Sequence, residues 1–212
     1  MMRRCVRIVL SATLLIAAGG CATNSHGDTS PSVNSTASAG SGSSPSPVFR
    51  PGEIRSVPDP RTLFSSALRK ELRFDAYHGS DCKKDKANEY IDRWACYLHN
   101  TPHKRLQDTE LLAVYVQVHH PTPTEDATKF TSRDFALYRK VLGPEWAPAK
   151  LGDEALRAET GGASWIRLRI RNVMMEVSAD IPDPAPRSVS EENRRAWRAA
   201  TELTRSITGL AQ

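Results

Sequence analysis

The sequence lacks the short motifs that mark common catalytic and cofactor sites. It contains no Gly-x-Ser-x-Gly nucleophile elbow, no His-Glu-x-x-His zinc helix and no glycine-rich loop that could cradle a phosphate. His99 and His103 are separated by Pro102, which argues against a helix presenting both. His119 and His120 are adjacent, so on a strand they point to opposite faces. We therefore interpret the histidines as solvated and predict no enzyme activity, no cofactor and no metal.

The sequence also carries little net charge once its first segment is set aside. Residues 1–20 hold three arginines and no acidic residue, so without them the formal net charge falls from +5 to +2. Basic residues elsewhere alternate with acidic ones. A balance this small does not indicate a nucleic-acid partner.

The apolar stretch near the N-terminus is too short for a membrane span. It covers residues 8–18, whereas a transmembrane helix needs about 20 apolar residues. Three arginines precede it and Gly19-Gly20-Cys21 follows it, which is the layout of a secretory signal that ends at a cleavage site. An uncleaved anchor and an ordinary secretory signal remain alternatives.

A cysteine directly after small residues resembles the lipobox of bacterial lipoproteins, with Ala18 where leucine is usual. The resemblance implies that residues 1–20 are a signal peptide and that Cys21 carries a diacylglycerol. It places the protein on the extracytoplasmic side of the cell membrane, with the membrane itself as a partner. Residues 21–47 are rich in Ser, Thr, Gly and Pro and cannot bury enough surface to offset their ordering entropy, so we predict a disordered linker. Residues 48–212 then form one domain.

Two cysteines remain for the domain. Cys5 belongs to the signal and Cys21 to the lipid, which leaves Cys82 and Cys96. Disulfides persist outside the cytoplasm, so we predict a bridge between these two; a metal pair and free thiols are the alternatives.

The domain pattern predicts an α+β fold, with an antiparallel sheet of about five strands and helices packed on one face. Residues 164–180 read as a hairpin in which Ile170 faces Val173 and Arg167 faces Glu176. Residues 77–88 and 145–150 read as loops. Helices are predicted over 59–72, 124–142 and 188–210, and further strands over 94–98, 112–118 and 155–160.

The helices supply enough apolar side chains to fill a core on the inward face of the sheet. The second helix is predicted to contribute Phe130 and Leu137, and the last helix Trp197. The inward residues of the sheet are predicted to be Leu112, Val114, Val116, Ile166, Leu168, Ile170, Met175 and Val177.

Two segments carry a resemblance to a known group of proteins. Leu151-Gly152-Asp153-Glu154-Ala155, and Arg169-Ile170-Arg171-Asn172-Val173 followed by Glu176-Val177, resemble the C-terminal half of small actinobacterial lipoproteins of unknown function. They are also similar to the extracytoplasmic sensor domains of some actinobacterial serine/threonine kinases, although Arg171 stands where glycine is usual. The resemblance implies an α+β, sensor-like or ligand-binding domain with a cleft, and no catalytic residue.

The arginine strip, Arg167, Arg169 and Arg171, is the sharpest polar feature of the domain. It is interpreted either as the solvated face of the sheet or, beside Trp165, as a surface for an anionic envelope component or a protein partner. A ligand cleft near Trp146 and Asp153 is a further candidate. The sequence thus predicts a lipid-anchored, non-catalytic binding or sensor-like module; the alternative is a carrier of a lipid or another apolar ligand between sheet and helices.

Overall fold

The computed structural model describes residues 48–72, 81–99, 111–160, 163–180 and 189–211. The predicted signal peptide, Cys21 and the linker lie outside these residues. The fold is α+β, as predicted, but its antiparallel sheet has seven strands rather than about five. The helical elements are a 3-10 helix Pro60–Leu63, α1 Ser66–Glu71, α2 Ala127–Val141 and α3 Val189–Gly209. The strands are β1 Asp81–Asn88, β2 Ile91–His99, β3 Leu111–His119, β4 Ala147–Ala149, β5 Glu154–Thr160, β6 Ala163–Ile170 and β7 Val173–Asp180.

The two unpredicted strands are the edges of the sheet, whose order is β1-β2-β3-β7-β6-β5-β4. Strand β1 is almost entirely exposed and rich in lysine, a composition that protects an edge from pairing with another chain. Strand β4 contains Pro148, which an edge strand tolerates because one side of it needs no hydrogen-bond donor. Both segments looked like loops because neither has an apolar face of its own.

The predicted hairpin register of β6 and β7 is confirmed. Ile170 lies opposite Val173, and Arg167 lies opposite Glu176. The two-residue turn places Arg171 at φ 51°, in the left-handed region where glycine is usual. The inward residues of β3, β6 and β7 are buried in one apolar cluster, as predicted.

One face of the sheet is covered by α1, α3 and the chain around Ile54. Alanines at three buried positions of α3 let this helix approach the sheet closely, while Leu203 and Ile207 fill the remaining space. Burying Leu203 completely is worth roughly 2 kcal/mol. The helix predicted over 59–72 is in fact two pieces, because Phe64 and Ser65 are extended and the Ser65 hydroxyl accepts the Leu68 N–H to cap α1.

The opposite face of the sheet is covered by α2, so the prediction that the helices pack on one face is wrong. Phe135 of α2 packs against Leu156 and Met174, which point away from the apolar cluster under α1 and α3. Leu137, predicted to face the sheet, is 53 % exposed because the buried side of α2 runs through Ala127, Phe130, Thr131 and Phe135 instead. The polar residues of this sheet face gave no sign that a helix lies across them.

Candidate functional site

Arg167 lies beneath α2 instead of on a solvated face. Its side chain is 15 % exposed, and its Nε donates to Glu176 Oε2 over 2.8 Å. The guanidinium lies 4.4 Å from the centre of the Tyr138 ring and 5.6 Å from that of Trp146. The predicted pairing with Glu176 is confirmed. However, the donors and the flat face of this arginine are engaged inside the domain.

Arg169 and Arg171 join the segment 169–173 to the segment 151–155. Arg169 Nε donates to Glu154 Oε2 over 2.7 Å, and its Nη1 lies 3.3 Å from Asp153 Oδ2. The same Asp153 oxygen accepts the Arg171 N–H over 2.6 Å. Asp153 therefore fixes the hairpin turn at Arg171. Asp153 and Glu154 thus both have a structural role.

The hairpin turn also holds the start of the domain. The side chain of buried Asn172 accepts the Ile54 N–H over 2.7 Å and donates to Ile54 O over 2.7 Å and to His119 O over 2.8 Å. Arg171 Nη1 donates to Gly52 O beside it. We call this set, Gly52, Ile54, Arg171 and Asn172, the N-terminal clamp. From sequence, only a turn could be predicted at Asn172, because its partner Ile54 is 118 positions away.

The two tryptophans predicted as binding residues differ in their surroundings. Trp146 packs against the small apolar cluster of Phe135, Leu156 and Met174 and borders Arg167. Trp165 is partly buried on the same sheet face, two positions before Arg167 in β6. The structure thus brings Trp146 to Arg167 and Asp153 to Arg169 and Arg171. Ligand binding by these residues stays a prediction.

The adjacent histidines are not both solvated, which corrects the sequence interpretation. His119 is fully buried, with Nε2 3.2 Å from Asp134 Oδ2 and its ring edge-on to Phe130. His120 is partly exposed, 3.6 Å from Asp92. Their opposite directions, predicted from the strand, explain why α2 covers one and not the other.

Burial raises the pKa of Tyr115 on the same sheet face, and its hydrogen bond to the Tyr97 hydroxyl adds to this effect. The Tyr115 hydroxyl therefore stays protonated at alkaline pH values where an ordinary tyrosine ionises.

The predicted disulfide between Cys82 and Cys96 is confirmed. The two residues lie opposite each other in β1 and β2, with Cα atoms 4.0 Å apart, and their sulfurs are bonded. Asp59 Oδ1 lies 3.3 Å from Cys82 Sγ, so three possible metal ligands meet here. Both sulfurs are used by the disulfide, and Asp59 also accepts the Arg61 Nε–H over 2.8 Å.

A groove of about 460 Å³ lies between α3 and strands β5 and β6, on the face of the sheet that α3 covers. Its lining combines three arginines with an indole and an amide: Arg157, Ile166, Asn193, Arg194, Trp197 and Arg198. Trp197, predicted as core, is only partly buried and lies at the border of the core. Sequence reasoning missed this site because its residues come from three separate elements and only the fold brings them together.

The charges of the groove are only partly neutralised. Glu71 pairs with Arg194 over 2.5 Å and with Arg198 over 2.8 Å. Hydrogen bonds from Arg194 lower the pKa of Glu191 to about 2, so Glu191 is ionised and balances Arg194 further. Arg157 is exposed and has no ion-pair partner among the residues that the structure describes. The groove therefore presents an uncompensated cation beside an indole, a combination suited to an anionic ligand.

Comparisons with family models, curated proteins and solved structures return no match for this chain. Within the described residues, no helix has both the length and the apolar character needed to cross a bilayer.

Proposed function

We propose that the protein is a lipid-anchored, non-catalytic binding module on the extracytoplasmic side of the cell membrane. We propose further that it binds an anionic envelope component in the groove between α3 and strands β5 and β6. The observation that carries this proposal is the uncompensated Arg157 facing Arg198 and Trp197 across an open groove. Arg167, Arg169 and Arg171 are engaged by internal partners, so the arginine strip is the weaker candidate.

The chemistry of the groove favours a phosphorylated or carboxylated sugar. Guanidinium groups bind phosphate and carboxylate through paired hydrogen bonds, and an indole packs against the apolar face of a sugar ring. The Asn193 amide adds a polar group, although its Nδ2 donates to Glu159 in the absence of a ligand. A sensor or receptor role for an envelope glycan is consistent with these groups.

The test is a titration with N-acetylglucosamine 1-phosphate, followed by calorimetry and by tryptophan fluorescence. Arg157→Ala and Arg198→Ala are each expected to weaken binding about tenfold or more, because a hydrogen bond to a charged group contributes roughly 1.5–3 kcal/mol. Arg205→Ala, an exposed substitution on α3 outside the groove lining, is the matched control. Equal affinity of the wild type and both groove variants, or no binding at all, would contradict the assignment of the groove.

The carrier alternative needs a continuous dry cavity of at least about 300 Å³ between sheet and helices. The side chains that would line it, among them Val114, Leu168 and Met175, pack instead into one cluster with α1 and α3. This packing supports the binding module. Native mass spectrometry of protein purified from its own membrane provides the check, because a stoichiometric lipid beyond the anchor on Cys21 would favour the carrier.

A further inference from the structure

The outer face of α2 carries apolar side chains that no part of the described core covers. Leu137 is 53 % exposed and Val141, one turn further on, is 78 % exposed. Ala136 beside them is exposed as well. Exposing two large aliphatic side chains on one helix costs hydration free energy. Contact with another apolar surface would remove that cost.

The same face is positively charged. It carries Lys129, Arg133 and Lys140, and the one acidic residue of α2, Asp134, is turned toward His119. Glu125 lies 2.6 Å from Arg133, and Asp126 lies 3.8 Å from Lys129. Lys140 has no ion-pair partner in the described part of the chain. Cations interleaved with exposed aliphatic residues are typical of helices that lie in the interface of an anionic membrane.

The chain enters the domain at the N-terminal end of this helix. Val48, the first described residue, lines a cleft together with Arg50, Asp126 and Lys129. Arg50 lies 3.1 Å from Asp126, the N-cap of α2, and Glu53 accepts the Thr128 N–H over 2.8 Å. A chain anchored at Cys21 would therefore deliver the domain to the membrane with α2 close to the attachment point. If the 27 residues from Cys21 to Pro47 form the disordered linker that the sequence predicts, their typical reach is about 30 Å, which is short enough to keep the local lipid concentration high.

We propose that the outer face of α2, Lys129, Arg133, Ala136, Leu137, Lys140 and Val141, docks onto the anionic phospholipid surface of the membrane that holds the anchor. This inference rests on the proposed anchoring through Cys21. The aliphatic side chains enter the headgroup region and the cations bind lipid phosphates. Since the groove lies on the opposite face of the sheet, docking turns the groove away from the membrane.

The test places one fluorescent reporter on α2 of the full lipidated chain. Ala136→Cys is labelled with the polarity-sensitive dye NBD, and Thr208→Cys, exposed on α3, is the matched control. The labelled proteins are reconstituted into vesicles of phosphatidylcholine alone or with about one-third phosphatidylglycerol. We expect a blue-shifted, brighter emission at position 136 only with phosphatidylglycerol. The response should be lost in about 1 M salt, where the Debye length is near 3 Å.

A second variant separates docking from anchoring. Leu137→Gln combined with Val141→Gln removes the aliphatic contact at exposed positions, and should abolish the response at position 136 while the protein stays vesicle-bound through its lipid. A bound protein whose two reporters respond alike, or not at all, overturns the docking surface and leaves the anchor standing. A response that depends on protein concentration without lipid means that a second copy covers α2, and it also overturns the proposal.

The unanchored chain gives an independent measurement if Cys21 proves to carry no lipid. The Cys21→Ala protein should bind phosphatidylglycerol vesicles reversibly. The double variant Lys129→Gln and Lys140→Gln should then bind about 25-fold more weakly, since each cation near an anionic surface contributes about fivefold. No binding, or equal binding by both proteins, overturns the docking surface whatever the fate of the anchor.

Discussion

Replacing Arg167 by alanine should destabilise the domain far more than a substitution on a solvated strand. The side chains of Arg167 and Glu176 are only 15 % and 13 % exposed, so the change leaves a half-buried carboxylate without its cation. Breaking a buried ion pair costs about 3–5 kcal/mol, and partial access to water places this pair at the lower end. Lost contacts with the Tyr138 and Trp146 rings add about 1 kcal/mol. We therefore expect the free energy of unfolding to fall by about 4 kcal/mol.

The measurement is urea unfolding followed by far-ultraviolet circular dichroism, because a change beside Trp146 alters tryptophan fluorescence directly. Arg157→Ala on the neighbouring strand is the matched control and should change the free energy of unfolding by less than about 0.5 kcal/mol. The double change Arg167→Met with Glu176→Leu removes both charges and should recover most of the loss. A cost below about 0.5 kcal/mol for Arg167→Ala would refute the reasoning, since it would mean that water replaces the carboxylate without penalty.

Three further predictions concern the anchor, the disulfide and the N-terminal clamp. Wild-type protein should incorporate a radiolabelled fatty acid and partition with membranes, whereas Cys21→Ala should do neither; equal labelling would contradict the lipoprotein interpretation. Cys82→Ser should lower the free energy of unfolding by roughly 3 kcal/mol in chemical denaturation and leave the circular dichroism of the sheet unchanged. Asn172→Ala leaves the buried N–H and C=O of Ile54 without hydrogen-bond partners and should lower the free energy of unfolding by about 2–4 kcal/mol in the same assay. A loss under about 1 kcal/mol would show that water can replace the side chain of Asn172.

The centre of the sheet could be predicted from sequence because its apolar and polar residues alternate, which shows which side of each strand is buried. Ile166, Leu168 and Ile170 alternate with arginines, and only one register matches them to the apolar residues of β7. Strand β1 has no such signal. Its lysines and acids form a strand because β2 offers free backbone groups beside them, and the disulfide fixes the pairing. The reason that β1 is a strand therefore lies in its neighbour β2 and not in the sequence of β1 itself.

The sheet face covered by α2 could not be predicted from sequence for the same reason. Arg167, Tyr115 and His119 look like a solvated side, yet each is satisfied by an internal partner once α2 lies across them. Leu137 was predicted as core because helical spacing identifies an apolar stripe but not the part of it that a neighbouring element covers. The groove depends on Arg157 and Trp197, which belong to different elements, so no local pattern could have named it.

The N-terminal clamp has a mechanical consequence. A pull applied through the segment before Val48 reaches Ile54 within a few residues, and there it meets the hydrogen bonds of Asn172 at the turn between β6 and β7. Asn172 also holds His119 at the end of β3, so the load passes into the middle of the seven-stranded sheet. The exposed edge strand β1 is bypassed, so a force applied at Val48 does not peel the sheet apart from that side.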